Sequence, residues 1–375
     1  MNIRKYISII CFSIISIISL FFYQSCVDPV EPEYDFQNDI ILVDAYALTE
    51  PGLSTVSIKK SVFEYNRYYS ATVSNAKVKL ENVASGLSVD FLEDSSGIYL
   101  CPDNFAVTAG EVWKLYIELE DGRHIESKAE TATAAIPFEN IDIEYSSEAR
   151  YDIGFDRFIP GHTIQIDWND PPGEKNYYLW KYRTFEPLYV CKTCERGIFR
   201  DGKCQRSTSN FFRPYTSYLC DPSCWMIRNG EELPIFEDRF SDGAEIIDRE
   251  IAIIPFFRRP DVLVEIQQYS LNESAYDYFR IINNLISENS GLNAPPPAAL
   301  LGNLYSPDDL SEVFFGNFTV AGVSTKNIFI DRSNIFDDPL TRDPEIVLEP
   351  CPSCPTLYPC TEGALRTAIK PEGWP

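Results

Sequence analysis

From Ile40 to Ser127 apolar and polar residues alternate with a period of two. "STVSIKKS" puts Val56 and Ile58 on one face, and "NAKVKLEN" sets Ala76, Val78 and Leu80 against Lys77, Lys79 and Glu81. "EVWKLYIELEDGRHIES" lines up Trp113, Leu115, Ile117 and Leu119 before Asp121-Gly122. Successive strand side chains point to opposite faces, so these runs predict half-buried strands, and Asp-Gly between them predicts a hairpin turn. No segment here has helical spacing. Several short strands this close together predict a β-sandwich over residues 39–130.

"AETATAAIPFENID" breaks the alternation with a proline and sets a linker at 131–140. A second alternating region follows over 141–345. Ile164, Ile166 and Trp168 share a face, Pro171-Pro172-Gly173 makes a turn, and Tyr177 to Tyr182 forms an aromatic strand. Together these resemble the early strands of a fibronectin type III module. Strands resume with "EIIDREIAIIPFF" and "DVLVEIQQYS". "SLNESAYDYFRIINNLISEN" then changes period: Ala275, Phe279, Ile282 and Ile286 recur at helical spacing. Ser270 with Glu273 three residues on has the form of a capping box, so a helix is expected over 271–289, its apolar stripe packed on a sheet. From Pro339 the chain reads as irregular, with a Cys-containing tail at 346–375. The fold class expected is mainly β: two immunoglobulin-like or fibronectin III-like β-sandwich domains, the second with a Cys-rich insertion (191–224) and one helix.

The N-terminus has a different pattern. Met1 to Lys5 is basic, Ile7 to Phe22 is apolar, and Ser25 is a small residue before Cys26. Basic start, apolar middle and small residue at the cut describe a lipoprotein signal peptide over 1–25. The apolar run is shorter than the roughly 20 residues of a spanning helix. Cys26 is then the lipid-attachment residue of the mature chain. Each buried methylene contributes about 0.8 kcal/mol, so two or three acyl chains anchor stably where one does not. The acidic, proline-containing stretch that follows, residues 26–38, reads as an extended tether.

An exported chain changes the reading of its 11 cysteines. Cys11 leaves with the leader and Cys26 takes lipid. Cys191, Cys194, Cys204, Cys220 and Cys224 cluster in the insertion, and Cys351, Cys354 and Cys360 lie in the tail. These eight are disulfide candidates in an oxidising compartment, and pairing between the clusters would pin the tail to the insertion. Cys101 is left over as a buried thiol. Cys191-x-x-Cys194 with Cys220-x3-Cys224 also has zinc-ligand spacing, which ranks second. Redox chemistry of Cys-x-x-Cys ranks third, because the surroundings read as loop rather than strand–helix.

The formal charge of −24 disfavours nucleic acid and anionic membrane faces as partners. No cofactor or resident metal is expected, and no catalytic residue. His124 and His162 read as exposed strand residues rather than general bases. No nucleophile elbow, zincin helix or phosphate-cradling loop occurs. The acids of "DRSNIFDD" and "SPDDL" lack calcium-loop spacing. Tyr65, Tyr68, Tyr69, Phe211, Phe212 and Tyr215 are candidate contact aromatics, with stray surface residues the simpler reading.

In order along the chain stand a lipoprotein cysteine close to the first strand, "ILVDAYALTEPGLSTVSIKKS", "VSNAKVKLEN", "SGIYL", "ESAYDYFRIIN", "PPPAALLGNL", "FFGNFTVAGVS" and a late Cys-x-x-Cys. This order resembles the Bacteroidota outer-membrane lipoproteins of domain-of-unknown-function family 4249. The resemblance implies a lipid-anchored protein with an N-terminal β-sandwich and a second immunoglobulin-like domain, at the cell surface or facing the periplasm. It implies a lipid bilayer, through acylated Cys26, and a TonB-dependent outer-membrane receptor as partners. No catalytic residue carries over from it. The expected function is therefore that of a non-catalytic accessory binding protein of a transport system. A structural or adhesive envelope lipoprotein is the alternative, and a glycan hydrolase built on a facing carboxylate pair ranks third.

Overall fold

The computed structural model describes residues 40–64, 67–94, 97–201, 203–206, 216–221, 224–288, 300–340, 346–351 and 360–375. Cys26, the leader and the tether lie outside them, as do Cys354, Tyr65, Phe211, Phe212 and Tyr215. The chain is mainly β with one helix among the described residues, an arrangement compatible with the expected sandwiches.

The first group of strands is β1 (Ile41–Leu48), β2 (Thr55–Glu64), β3 (Arg67–Thr72), β4 (Lys77–Asn82), β5 (Ser88–Glu93), β6 (Ile98–Leu100), β7 (Val112–Glu118), β8 (His124–Ser127) and β9 (Glu130–Thr131). Alternation decides which faces are buried: Val56, Ile58, Val78, Leu80, Trp113, Leu115, Ile117 and Ile125 all enter one core. Asp121-Gly122 turns β7 into β8, with Glu118 opposite His124, and Gly122 takes a left-handed φ of 87° that suits glycine. Cys101 is a buried free thiol in the same core.

The second group opens with β10 (Phe138–Asp152), β11 (Arg157–Asn169) and β12 (Tyr177–Pro187). Next come β13 (Tyr189–Glu195), β14 (Gly197–Arg200), β15 (Lys203–Arg206), β16 (Thr216–Asp221), β17 (Trp225–Asn229) and β18 (Ile235–Glu237). They are followed by β19 (Glu245–Pro255), β20 (Val262–Leu271), α1 (Glu273–Glu288), β21 (Leu304–Tyr305), β22 (Phe315–Ile330), β23 (Ile346–Pro350) and β24 (Arg366–Thr367). Sheet β10-β11-β19 faces the β12–β20 pair across a core of Phe138, Ile164, Ile166, Trp168, Tyr178, Trp180 and Val264.

Four features differ from the sequence reading. First, residues 39–375 form one compact unit. β22 joins both groups: Phe315–Ala321 pairs in parallel with β1, and Gly322–Ile330 pairs antiparallel with β20. Second, the segment expected as a linker is bonded into both neighbours. Thr133 Oγ1 accepts from Gly322 N at 2.9 Å, Ile136 N donates to Ser270 Oγ, and Gln268 Nε2 donates to Ile136 O. Its backbone passes so close that a Cβ on Gly322 would sit 2.3 Å from Ala134 C, which only glycine avoids. Third, Ser270 is not the helix cap. It belongs to β20, and Asn272 caps α1: Ala275 N donates to Asn272 Oδ1 at 2.8 Å. The strand keeps Ser270 and runs one residue past it to Leu271 because Tyr177 and Tyr178 of β12 pair with these two positions. Fourth, the Cys-rich insertion and the tail are strands rather than loop. β13 pairs with β16 and, in parallel, with β23, while β17 pairs with β24. Pairing partners this far apart leave no local signal.

Disulfides join Cys191 to Cys220, Cys194 to Cys204 and Cys224 to Cys360. Cys351 is disulfide-bonded as well. Of the thiols of the zinc reading, Cys191 and Cys220 are thus paired with each other, Cys194 with Cys204 and Cys224 with the tail, and the expected Cys191–Cys194–Cys220–Cys224 ligand set does not form.

Candidate functional site: an aromatic and charged groove

Three strands from both halves of the chain present side chains to one groove of about 810 Å³. Period two selects them: Asp44 and Tyr46 on β1, Lys181 and Arg183 on β12, and Gln267 and Tyr269 on β20. Register brings them together, since Lys181 lies opposite Gln267 and Arg183 opposite Glu265. Behind them Tyr46, Leu48, Tyr177, Leu179, Tyr269 and Leu271 share a core with Ala275, Tyr278 and Phe279 of α1. The helix stripe therefore backs the groove and does not line it.

Lys181 is the centre of the groove. Its Nζ lies 3.8 Å from the Tyr46 ring centroid and 5.5 Å from that of Tyr269. A cation over aromatic faces gains about 0.5–2 kcal/mol, more as water is excluded. Burial pulls the Lys181 ammonium below the usual lysine range, and the Asp44 carboxylate works against that. Burial, and then the charge of Asp44, raises Tyr46 and Tyr269 above the usual tyrosine range, so both hydroxyls stay protonated as donors. A polar chain runs along β20: Tyr269 Oη donates to Gln267 Oε1 at 2.6 Å, and Gln267 Nε2 donates to Glu265 Oε1 at 2.8 Å. Arg183 closes it with two donations to Glu265, both 2.8 Å. Ring faces, a lysine and an ordered amide suit a ligand with apolar faces and polar edges.

A family model described as "Domain of unknown function (DUF4249)" matches residues 27–327. The chain belongs to this family. No curated protein matches it. Within this DUF4249 chain every groove residue named above falls inside the matched span, which also takes in most of β22 but ends before β23, β24, Cys351 and Cys360.

The residues singled out from sequence are scattered. His124 is half-exposed and its Nδ1 lies 2.6 Å from Asp308 Oδ2. His162, expected at the surface, is 2% exposed and packs against the rings of Tyr145 and Phe256. Tyr69 is exposed on β3. Asp309 and Asp331 accept from Ser311 and Ser333 in tight turns, Asp337 accepts from Tyr145 Oη, and Asp338 pairs with Arg259. Asp170, Asp238 and Asp242 approach one another within 4.8 Å. They clamp two loops by accepting from Tyr178 Oη and Gly243 N, from Asn176 N, and from Gly173 N respectively. Sequence reading passed over Asp44, Tyr46, Lys181 and Tyr269. The available signal was alternation itself, which marks Lys181 as a charge inside the aromatic strand Tyr177–Tyr182.

Proposed function

We propose that this chain is a non-catalytic, lipid-anchored outer-membrane protein that serves a TonB-dependent transporter as its ligand-binding partner. The observation that carries the reading is the Lys181–Tyr46–Tyr269 groove, whose volume falls within the range of ordinary ligand sites. The leader pattern before Cys26 and the Bacteroidota lipoprotein resemblance supply the anchor and the location. A contact surface for the transporter is at hand in the β10–β11 hairpin tip. There Tyr151, Ile153 and Phe158 are 50%, 87% and 54% exposed, and aromatic and aliphatic groups gathered at an exposed tip favour protein contact.

The test is crosslinking of the full-length lipoprotein in intact cells, followed by mass spectrometry. An outer-membrane transporter is expected among the crosslinked products, and Cys26→Ser is expected to move the protein out of the membrane fraction. Recovery of no outer-membrane protein, or unchanged fractionation of the Ser variant, overturns the reading.

A further inference from the structure

Two opposite charges line the groove without reaching each other. Lys181 Nζ stands over the Tyr46 and Tyr269 rings, and Asp44 lies two residues before Tyr46 on the same face of β1. Asp44 is the charge that acts on Lys181, yet the two form neither an ion pair nor a hydrogen bond among the described residues. An ammonium has three donors; these meet ring faces and no oxygen acceptor among the described residues. Asp44 is exposed, with the Tyr46 hydroxyl beside it. Lys59, diagonal to it on β2, is exposed, lies outside the groove lining and makes no ion pair with it. The other charged groups of the lining are held elsewhere. Arg183 is forked onto Glu265, Asp94 Oδ1 accepts from Ile98 N at 2.9 Å, and Glu362 Oε1 accepts from Ala368 N at 2.7 Å.

This layout sorts ligands by charge. A simple anion drawn to Lys181 meets the repulsion of Asp44, Asp94 and Glu362. A simple cation drawn to Asp44 meets that of Lys181. A neutral sugar would cover both charges and match neither, and a charge shut away from water without its counterpart is costly. A ligand that carries a carboxylate and an ammonium matches both: the carboxylate accepts from Lys181 and the ammonium donates to Asp44. Complementary charge at two points also fixes the ligand's orientation and rejects wrong partners. Leu48, Leu53, Leu100, Ile227 and Leu233 give the same groove apolar walls for an aliphatic side chain. With about 810 Å³ it has room for a short peptide as well as for one amino acid.

We propose that the groove takes an aliphatic zwitterion, a free amino acid or a short peptide with both ends uncapped, its carboxylate on Lys181 and its ammonium on Asp44. The assignment rests on the groove being the ligand site. The experiment is calorimetric titration of the full chain with leucine, trileucine, N-acetyl-trileucine, trileucine amide and, as a neutral comparison, maltotriose. Leucine or trileucine is expected to bind, and which of them binds more tightly names the source. If trileucine binds, each cap on it is expected to weaken binding about tenfold or more, because it leaves Asp44 or Lys181 unmatched; if leucine alone binds, N-acetyl-leucine and leucine amide carry the same test. Asp44→Asn is expected to erase the penalty of the acetyl cap alone, and Lys181→Met that of the amide cap alone. Equal affinity of capped and uncapped forms, or penalties unchanged in both variants, overturns the proposal. Binding of maltotriose without leucine or trileucine also overturns it but keeps the groove as a ligand site. Binding of none of them overturns it as well, while crosslinking to the transporter still tests the proposed function by itself. The capped forms decide the matter on the unaltered protein even if a variant fails to fold.

Discussion

At position 162 an imidazole lies between Tyr145 and Phe256 with Arg332 near, and burial, followed by that positive charge, lowers its pKa to about 4. An unfolded chain titrates histidine near 6.5. Between these values the unfolded state binds more protons, so stability is full above about pH 6.5 and is lost as pH falls toward 4. The gap corresponds to about 3 kcal/mol. We expect His162→Phe to flatten this part of the acid limb, seen as a smaller difference in unfolding free energy between pH 7 and pH 4.5 than in the unaltered protein. Equal pH dependence of the two proteins would refute the assignment. Glu186 is the other sensitive residue: buried on β12, it pairs with the buried Arg332 guanidinium. Removing it strands Arg332, so Glu186→Ala should cost about 3–5 kcal/mol in chemical denaturation. Neither role was legible from spacing. His162 falls in "PGHTIQ", where alternation gives it a face but not the identity of what covers that face.

Among elements, α1 was the most legible, because its apolar spacing survives any tertiary context. Its cap was not, because β20 claims Ser270 and leaves the role to Asn272. Asn272→Ala should therefore cost about 1 kcal/mol and speed amide exchange at Ala275. A lack of change at that amide would return the cap to Ser270. The disulfides also differ in weight. Cys224–Cys360 spans 136 residues and Cys194–Cys204 spans 10. Loop entropy in the unfolded chain assigns them about 5 and about 3 kcal/mol at most. Urea unfolding of the two Ser-for-Cys pairs should show the larger loss for Cys224/Cys360, together with faster proteolysis of the tail. The strands β13, β16 and β23 were invisible from sequence. Charges and cysteines interrupt their alternation, and they are held by partners up to 157 residues away, with Lys192 of β13 ion-paired to Glu349 of β23.

For the whole molecule, β22 is the decisive element. Its buried run gives one neighbour to β1 and another to β20, and this brings Asp44, Tyr46, Lys181 and Tyr269 into one groove. Gly316 permits the junction: with φ of 106°, a Cβ there would lie 1.9 Å from Val43 O. If the exposed hairpin tip meets the transporter, Ile153→Ser with Phe158→Ser should lower its capture at least about tenfold without lowering thermal stability, since exposed side chains contribute little to folding. Undiminished capture would move the contact elsewhere. The period of the apolar residues determined by itself that the chain is β-rich, which faces of β2, β4, β7 and β11 are buried, and where the helix lies, because strand and helix periods are local properties of the backbone. The DUF4249 resemblance was likewise readable from the order of short motifs. Only the tertiary structure decided which strands are neighbours, which cysteines pair, and which charges share the groove. Those outcomes depend on register between segments hundreds of residues apart, and register is set by mutual packing that no single segment encodes.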